Sequence, residues 1–108
     1  MDLTPEELTK AQAASPGAKR FDKCLFNGKA LIFRNPTRQE YKQFRTLWSQ
    51  ENGEGPAFEA LAGTVCVIPS AQEWEADILE AFPGAGMNPE VVKCLSRLTG
   101  MASEETQK

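Results

Sequence analysis

The dipeptide Asn27-Gly28 constrains the fold most, because it is the strongest short-range signal of a β-hairpin. A type I′ turn needs a positive φ at both central residues, which asparagine and glycine adopt readily. The segments 21–26 and 29–34 flank this turn as predicted strands. Since positions 30–33 are apolar throughout, we expect both faces of the second strand to be covered at least partly. A lone hairpin is marginal in water, so this one must pack on helices or add strands from another copy.

Two hexapeptides, PTRQEY at 36–41 and PSAQEW at 69–74, are nearly identical and predict two helix starts. In each, a Thr or Ser N-cap is followed three residues later by Glu, and an aromatic residue follows at the fourth helical position. This is a capping box with a hydrophobic staple. Beyond the sixth residue the two segments diverge, so the likeness indicates the local physics of a helix start and not an internal repeat.

Apolar spacing and caps predict the remaining helices. A capping box of Thr4 and Glu7 opens a short leading helix with little apolar content, which is frayed or ordered only by a partner. Segment 51–56 has the composition of a loop. Segment 57–68 is expected to be a buried helix, interrupted near Gly63 and stopped before Pro69, with a strand over 64–68 as the alternative. Helices are expected over 4–14, from Thr37 onwards, over 57–68, over 71–82 and over 89–99, the last ended by Gly100.

The sequence therefore predicts an α+β fold in which one β-hairpin packs against a small bundle of three to five helices. The 108 residues have the size of one domain. We expect residues 1–19 to form a short N-terminal helix and linker, residues 20–100 to form a single α+β domain, and residues 101–108 to form a disordered tail.

Charge and hydropathy exclude several classes of protein. A net charge of −3 gives no basic footprint for nucleic acid. No apolar run approaches the ~20 residues of a membrane span. The acidic N-terminus is unlike a secretory signal, so a cytoplasmic protein is expected.

No constellation of side chains predicts an enzyme, and we expect neither a cofactor nor a metal. The chain has no histidine, the commonest general base at neutral pH. The widely spaced Cys24, Cys66 and Cys94 favour small buried side chains over a three-cysteine metal site. The glycine-rich segment 83–89 follows a predicted helix and lacks the lysine of a phosphate-binding loop. A small enzyme or nucleotide-binding domain is therefore disfavoured, and stabilisation by a nucleotide or a metal would restore that hypothesis.

Contacts with a protein partner are the alternative to catalysis. The densest basic region consists of Arg20, Arg34, Arg38, Lys42 and Arg45, which form either a solvated helix face or a contact patch for an acidic partner. The hairpin edges at 21–26 and 29–33 can pair with another copy. Met101 would add adaptable contact surface, as would Phe58, for which an ordinary place in the core is favoured. The candidate partner-binding residues are the cations Arg34, Arg38, Lys42 and Arg45 and the apolar Leu3, Leu8, Phe21, Phe26 and Met87.

The segments ALIFRNPTRQEYKQFRTL (30–47) and FPGAGMNPEVVKCLSRLTG (82–100) resemble the tail assembly chaperones of long-tailed bacteriophages. Thr37, Glu40, Tyr41 and the pair Pro83-Gly84 match that family's pattern, whereas the first 20 residues match no family. The resemblance implies a small non-enzymatic protein of the host cytoplasm that self-associates, binds the tape measure protein and recruits tail tube subunits.

A second hypothesis is a small phage or regulatory inhibitor that blocks a host complex through a protein–protein interface. Such a protein would concentrate net charge on one face, whereas the sequence shows moderate basic clustering within a total of −3. The distribution of the cations over the folded surface therefore discriminates between the two hypotheses.

Overall fold

Strands β1 (Phe21–Phe26) and β2 (Lys29–Arg34) form the predicted hairpin in the computed structural model, which describes residues 3–100. Asn27 has a φ of 52° and Gly28 a φ of 79°, as a type I′ turn requires. The strands are antiparallel, with Phe26 opposite Lys29 and Phe21 opposite Arg34. The hairpin prediction is therefore confirmed.

A third strand, β3 (Cys66–Ile68), pairs antiparallel with β2, so that the sheet order is β1-β2-β3. The prediction of one helix over 57–68 is wrong. Helix α3 ends at Val65 and the chain continues as strand, which was the alternative. The backbone groups on the open edge of β2 need partners, and β3 supplies them. This central position explains why residues 30–33 are apolar at every position.

Five helical segments surround the sheet in the described part of the chain. Helix α3 begins inside the predicted loop, because Pro56 lies in the first turn, where backbone N–H groups have no partner within the helix. The segments are α1 (Pro5–Ala14), α2 (Arg38–Trp48), α3 (Glu54–Val65), α4 (Ala71–Glu73, continuing as a π-helix over Trp74–Leu79) and α5 (Pro89–Thr99). A 3₁₀ turn at Ala85–Met87 precedes α5. This arrangement confirms the predicted α+β fold class.

The two hexapeptides start helices by the same local device. In α2 the Thr37 Oγ1 accepts a hydrogen bond from the Glu40 N–H at 3.1 Å, and in α4 the Ser70 Oγ accepts one from the Glu73 N–H at 3.2 Å. Each glutamate carboxylate in turn accepts a hydrogen bond from the N–H of the N-cap residue, as in the capping box of α1. The last helix ends as predicted at Gly100, whose φ is 87°. The predicted tail that follows, 101–108 with Met101, lies outside the described residues.

The helix predicted over 71–82 is only partly correct. After Glu73 the backbone forms a π-helix, which buries Trp74 and Ile78 as expected. The i→i+5 bonding widens the turn and moves later residues off that face. Phe82 is accordingly 46% exposed, and its ring makes a T-shaped contact with the Phe26 ring at 5.3 Å between centroids.

The sheet separates two apolar clusters. The main cluster lies between the sheet and the helices α2 to α5, and its largest buried side chains are Trp74, Phe33, Phe58, Leu31 and Leu95. On the opposite face, Ala11 of α1 packs with Ile32 and Val67, while Leu3, Phe21 and Ile68 lie partly buried around them. The Lys23 ammonium also binds the Glu7 carboxylate at 2.8 Å. The leading helix is therefore held on the sheet by packing and by an ion pair.

The packing of α1 can be tested with one substitution made at two positions of the same helix. Ala11 is fully buried, whereas Ala13 is exposed. We expect Ala11→Glu to lower the free energy of unfolding by about 1–3 kcal/mol, because it places an unpaired carboxylate against Ile32 and Val67. Urea denaturation measures this change. Equal stability of the Ala11→Glu and Ala13→Glu variants would contradict the packing of α1 on the sheet.

Candidate functional site

Helix α2 presents a row of cations to solvent. Arg38, Lys42 and Arg45 are spaced i, i+4 and i+7, so they share one face, and all are exposed. The opposite face buries Phe44, with Tyr41 and other aromatic and aliphatic residues partly buried beside it. The predicted basic face is thus present, and we call these three residues the basic stripe.

Aromatic contacts fix α2 in place behind the basic stripe. The Phe44 ring lies edge-on to Phe58 of α3 at 5.1 Å and to Trp48 at 5.4 Å between centroids. The Arg45 guanidinium carbon lies 5.5 Å from the Trp48 ring centroid, within the range of a cation–π contact. The cations therefore stand on a helix whose position is set by a packed core, and Phe58 belongs to that core.

A groove lies between the start of α2 and the end of α5. Its volume is about 260 Å³. Tyr41 and Leu98 contribute apolar surface, and Arg38 and Lys42 of the basic stripe contribute positive charge. A groove of this size suits one or two inserted side chains better than a drug-sized ligand. We call it the α2–α5 groove, and it is lined by Pro36, Thr37, Arg38, Tyr41, Lys42, Leu98 and Thr99.

Arg34, predicted as a partner-binding cation, is instead committed to internal contacts. Its guanidinium donates two hydrogen bonds to the Glu40 carboxylate, at 2.8 Å and 3.0 Å, and one to the Thr64 carbonyl oxygen at 3.3 Å. Glu40 also accepts the Thr37 N–H at 2.8 Å. Arg34 therefore ties β2, α2 and α3 together and offers little to a partner.

The charge of Arg34 governs the titration of Glu40. Its hydrogen bonds lower the pKa of the Glu40 carboxyl from 4.5 to about 2, and the Thr37 N–H acts in the same direction. Partial burial of the carboxyl opposes this shift. Glu40 is thus a carboxylate throughout the neutral and mildly acidic range.

The five apolar candidates are divided between surface and interior. Leu8 and Met87 are each 39% exposed, and neither lines the α2–α5 groove. Leu3 and Phe21 pack partly buried against the second cluster. Phe26 lies in the main cluster, so the expectation that it offers contact surface is wrong. The strand's alternation buries Phe26 beside Cys24.

The sequence analysis missed the exposed side chain of Leu25 and was wrong about one of the two predicted open strand edges. Leu25 is 44% exposed, and the alternation of β1 could have found it, since Leu25 is out of phase with the buried Cys24 and Phe26. The predicted open edge at 29–33 is wrong where Ile32 pairs with β3. Strand β1 remains an edge strand among the described strands.

The described residues offer little reactive chemistry. Between residues 3 and 100, no group of three or more histidine, cysteine, aspartate or glutamate side chains could hold a metal ion. The three cysteines are free and buried. Burial raises the pKa of the Cys66 thiol to about 12, and a hydrogen bond with Cys24 together with burial raises the pKa of Cys94. No helix in this range is long and apolar enough to cross a membrane.

Comparison with known proteins gives no assignment. No protein-family model matches the chain, and searches of curated proteins and of solved structures find no significant match. The resemblance of segments 30–47 and 82–100 to tail assembly chaperones therefore stays a prediction.

The link between Arg34 and Glu40 leads to a stability prediction. Glu40→Gln keeps a cap acceptor at the third helical position but removes the charge that Arg34 binds. We expect the free energy of unfolding at pH 7 to fall by about 1–2 kcal/mol, measured by urea denaturation. Glu51→Gln, on an exposed turn, is the matched control and should change it little.

The Glu40→Gln variant also leads to a prediction about how stability depends on pH. A carboxyl with a lowered pKa stabilises the fold above its unfolded value and loses that contribution as the pH falls. The stability difference between the original protein and Glu40→Gln should therefore be complete above pH 4.5 and narrow as the pH falls towards about 2. A difference that stays constant over this range would contradict the ion pair.

Proposed function

We propose that this chain is a non-enzymatic tail assembly chaperone of long-tailed bacteriophages, which binds the tape measure protein and recruits tail tube subunits in the host cytoplasm. One observation carries the proposal. All residues that line the α2–α5 groove come from the two segments that resemble this family, 30–47 and 82–100. The segments are far apart in sequence, yet the fold brings them to one exposed surface.

The chemistry of this surface suits a segment of a long helical partner. Such a partner exposes apolar side chains flanked by charged residues until tube subunits cover them. One or two apolar side chains fit beside Tyr41 and Leu98, while acidic neighbours meet Arg38 and Lys42. The apolar insertion supplies most of the affinity, and the cations supply orientation and a faster association.

Self-association through β1 is the second part of the proposal. This edge strand has six residues and an uninterrupted register with β2, and it contains no proline. Leu25 is exposed on it, so an antiparallel β1 strand of a second copy could add to the sheet. An antiparallel pair of β1 strands is closed by its own two-fold symmetry, so this pairing would place two copies side by side on one extended partner.

The basic stripe also supports a second candidate function. Arg38, Lys42 and Arg45 concentrate positive charge on one helix face of a chain whose net charge is −3. An inhibitor that blocks a host complex would use the same face against an acidic surface. The two functions differ in the partner and in the need for self-association.

Binding to a tape measure fragment from the same genome tests the first function. We expect a stable complex and concentration-dependent oligomers in size-exclusion chromatography with light scattering. Arg38→Glu with Lys42→Glu should weaken the complex at least about tenfold, or about 1.4 kcal/mol, because both charges at the groove are reversed. The control with the same charge change is Lys10→Glu with Lys29→Glu, at two exposed lysines outside the groove lining.

The outcomes separate the candidates. Weakened binding in the groove variant alone supports the α2–α5 groove as the contact. Equal weakening in both variants would indicate only a general charge effect. A strict monomer that ignores the fragment would overturn the chaperone proposal and move the inhibitor to first place.

A further inference from the structure

We infer that Asp22 blocks the open edge of β1, so that two copies of the chain pair there only after the Asp22 carboxylate has left the Lys23 N–H. The inference rests on the self-association proposed above and adds the residue that controls it. It is carried by a hydrogen bond of 2.8 Å from the Lys23 N–H to Asp22 Oδ1 and by an ion pair at the other carboxylate oxygen.

The pairing of β1 with β2 shows which backbone groups of β1 face the open edge. In an antiparallel pair, residues that bond the neighbouring strand alternate with residues whose N–H and C=O point away from it. The Asn35 N–H donates to the Arg20 carbonyl oxygen at 3.0 Å, one step beyond the pair Phe21 and Arg34, so the even-numbered residues bond β2. The residues whose backbone groups point to the open edge are therefore Phe21, Lys23 and Leu25.

The central donor of this edge is already occupied. The Lys23 N–H donates to Asp22 Oδ1 at 2.8 Å, and the Arg97 Nε of α5 donates to Asp22 Oδ2 at 2.6 Å. The Asp22 side chain is only 13% exposed, so packing also keeps the carboxylate in place. An incoming strand must displace a charge-assisted hydrogen bond, and its carbonyl oxygen approaches a carboxylate. Asp22 therefore opposes pairing at the middle of β1.

The side chains of β1 make this edge complementary to a second copy of itself. When two antiparallel β1 strands pair with Lys23 at the two-fold axis, Phe21 of each copy lies opposite Leu25 of the other. Leu25 is 44% exposed and Phe21 is partly buried, so this register covers apolar surface on both copies. The Lys23 ammonium already binds the Glu7 carboxylate, which reduces the repulsion between the two lysines at the axis.

Asp22 acts at the axis of this dimer. In the same register, the Lys23 N–H of each copy donates to the Lys23 carbonyl oxygen of the other. These are the bonds that the Asp22 carboxylate prevents, because it holds the same N–H. Each dimer contains two such carboxylates, so pairing stays weak while both remain in place.

Amide hydrogen exchange on the original protein tests the block without any substitution. The measurement is made at a concentration at which the protein is monomeric, and rates are corrected for the intrinsic rate of each residue. The amides of Lys23 and Leu25 both face the edge. We expect Lys23 to exchange at least about tenfold more slowly than Leu25, because the Asp22 carboxylate holds its N–H. Equal corrected rates would overturn the inference.

Removal of the carboxylate should open the edge. We expect Asp22→Ala to lower the Kd of self-association at least about tenfold, since two hydrogen bonds no longer have to break in each dimer. Sedimentation equilibrium measures this constant. Arg97→Gln is the matched control, because it breaks the same ion pair but leaves a carboxylate beside the Lys23 N–H. Its Kd should change by less than about threefold.

A proline at Leu25 shows whether the contact is made through β1. The Leu25 N–H points away from β2, so Leu25→Pro leaves the hairpin bonds intact and removes a donor that a second strand needs. In the Asp22→Ala background it should cancel the tighter association. Association that stays tight in the double variant would overturn pairing through β1. Species larger than a dimer would overturn the two-fold register, because that pairing is closed.

The outcomes separate this inference from the proposed function. Equal Kd values for the original protein and Asp22→Ala would overturn the block by Asp22 and leave binding of the tape measure fragment as it stands. Tighter association of Asp22→Ala without any fragment binding would overturn the chaperone proposal alone. If the original protein and Asp22→Ala both stay monomeric, self-association through β1 and its control by Asp22 fail together.

Discussion

The structure depends on one constraint, the burial of β2 on both faces and its pairing on both edges. Leu31 and Phe33 enter the main cluster, Ile32 enters the second cluster, and β1 and β3 supply the hydrogen-bonded neighbours. An apolar strand of this kind cannot be exposed on either side without a large cost in solvation. The leading helix on one face and the helix bundle on the other follow from it.

Arg34, the last residue of β2, connects the sheet to the helix that bears the candidate site. Its bidentate contact with Glu40 joins the strand to the first turn of α2, and its bond to Thr64 reaches the end of α3. The Glu40 carboxylate thereby takes part in the helix cap and in the ion pair with Arg34. Because the Arg34–Glu40 ion pair fixes the first turn of α2, it also sets where Arg38 and Lys42 lie on the surface.

The local devices of the fold could be predicted from residue types alone. Asn27-Gly28 indicated the hairpin, three Ser/Thr and Glu pairs indicated helix starts, and the spacing of Arg38, Lys42 and Arg45 indicated one helix face. Each of these depends on contacts within about one or two turns of chain. Short-range geometry decides them, so a pattern in the sequence is enough.

Long-range packing decided the features of the structure that the sequence patterns could not predict. The sequence by itself determined the hairpin, the helix starts and the cations of α2, because those are properties of adjacent residues. Only the tertiary structure decided that Cys66–Ile68 is a strand, that Arg34 is internal, and that Leu98 and Thr99 complete a groove with α2. The physical reason is that each depends on an edge, a charge or a surface supplied by a distant segment.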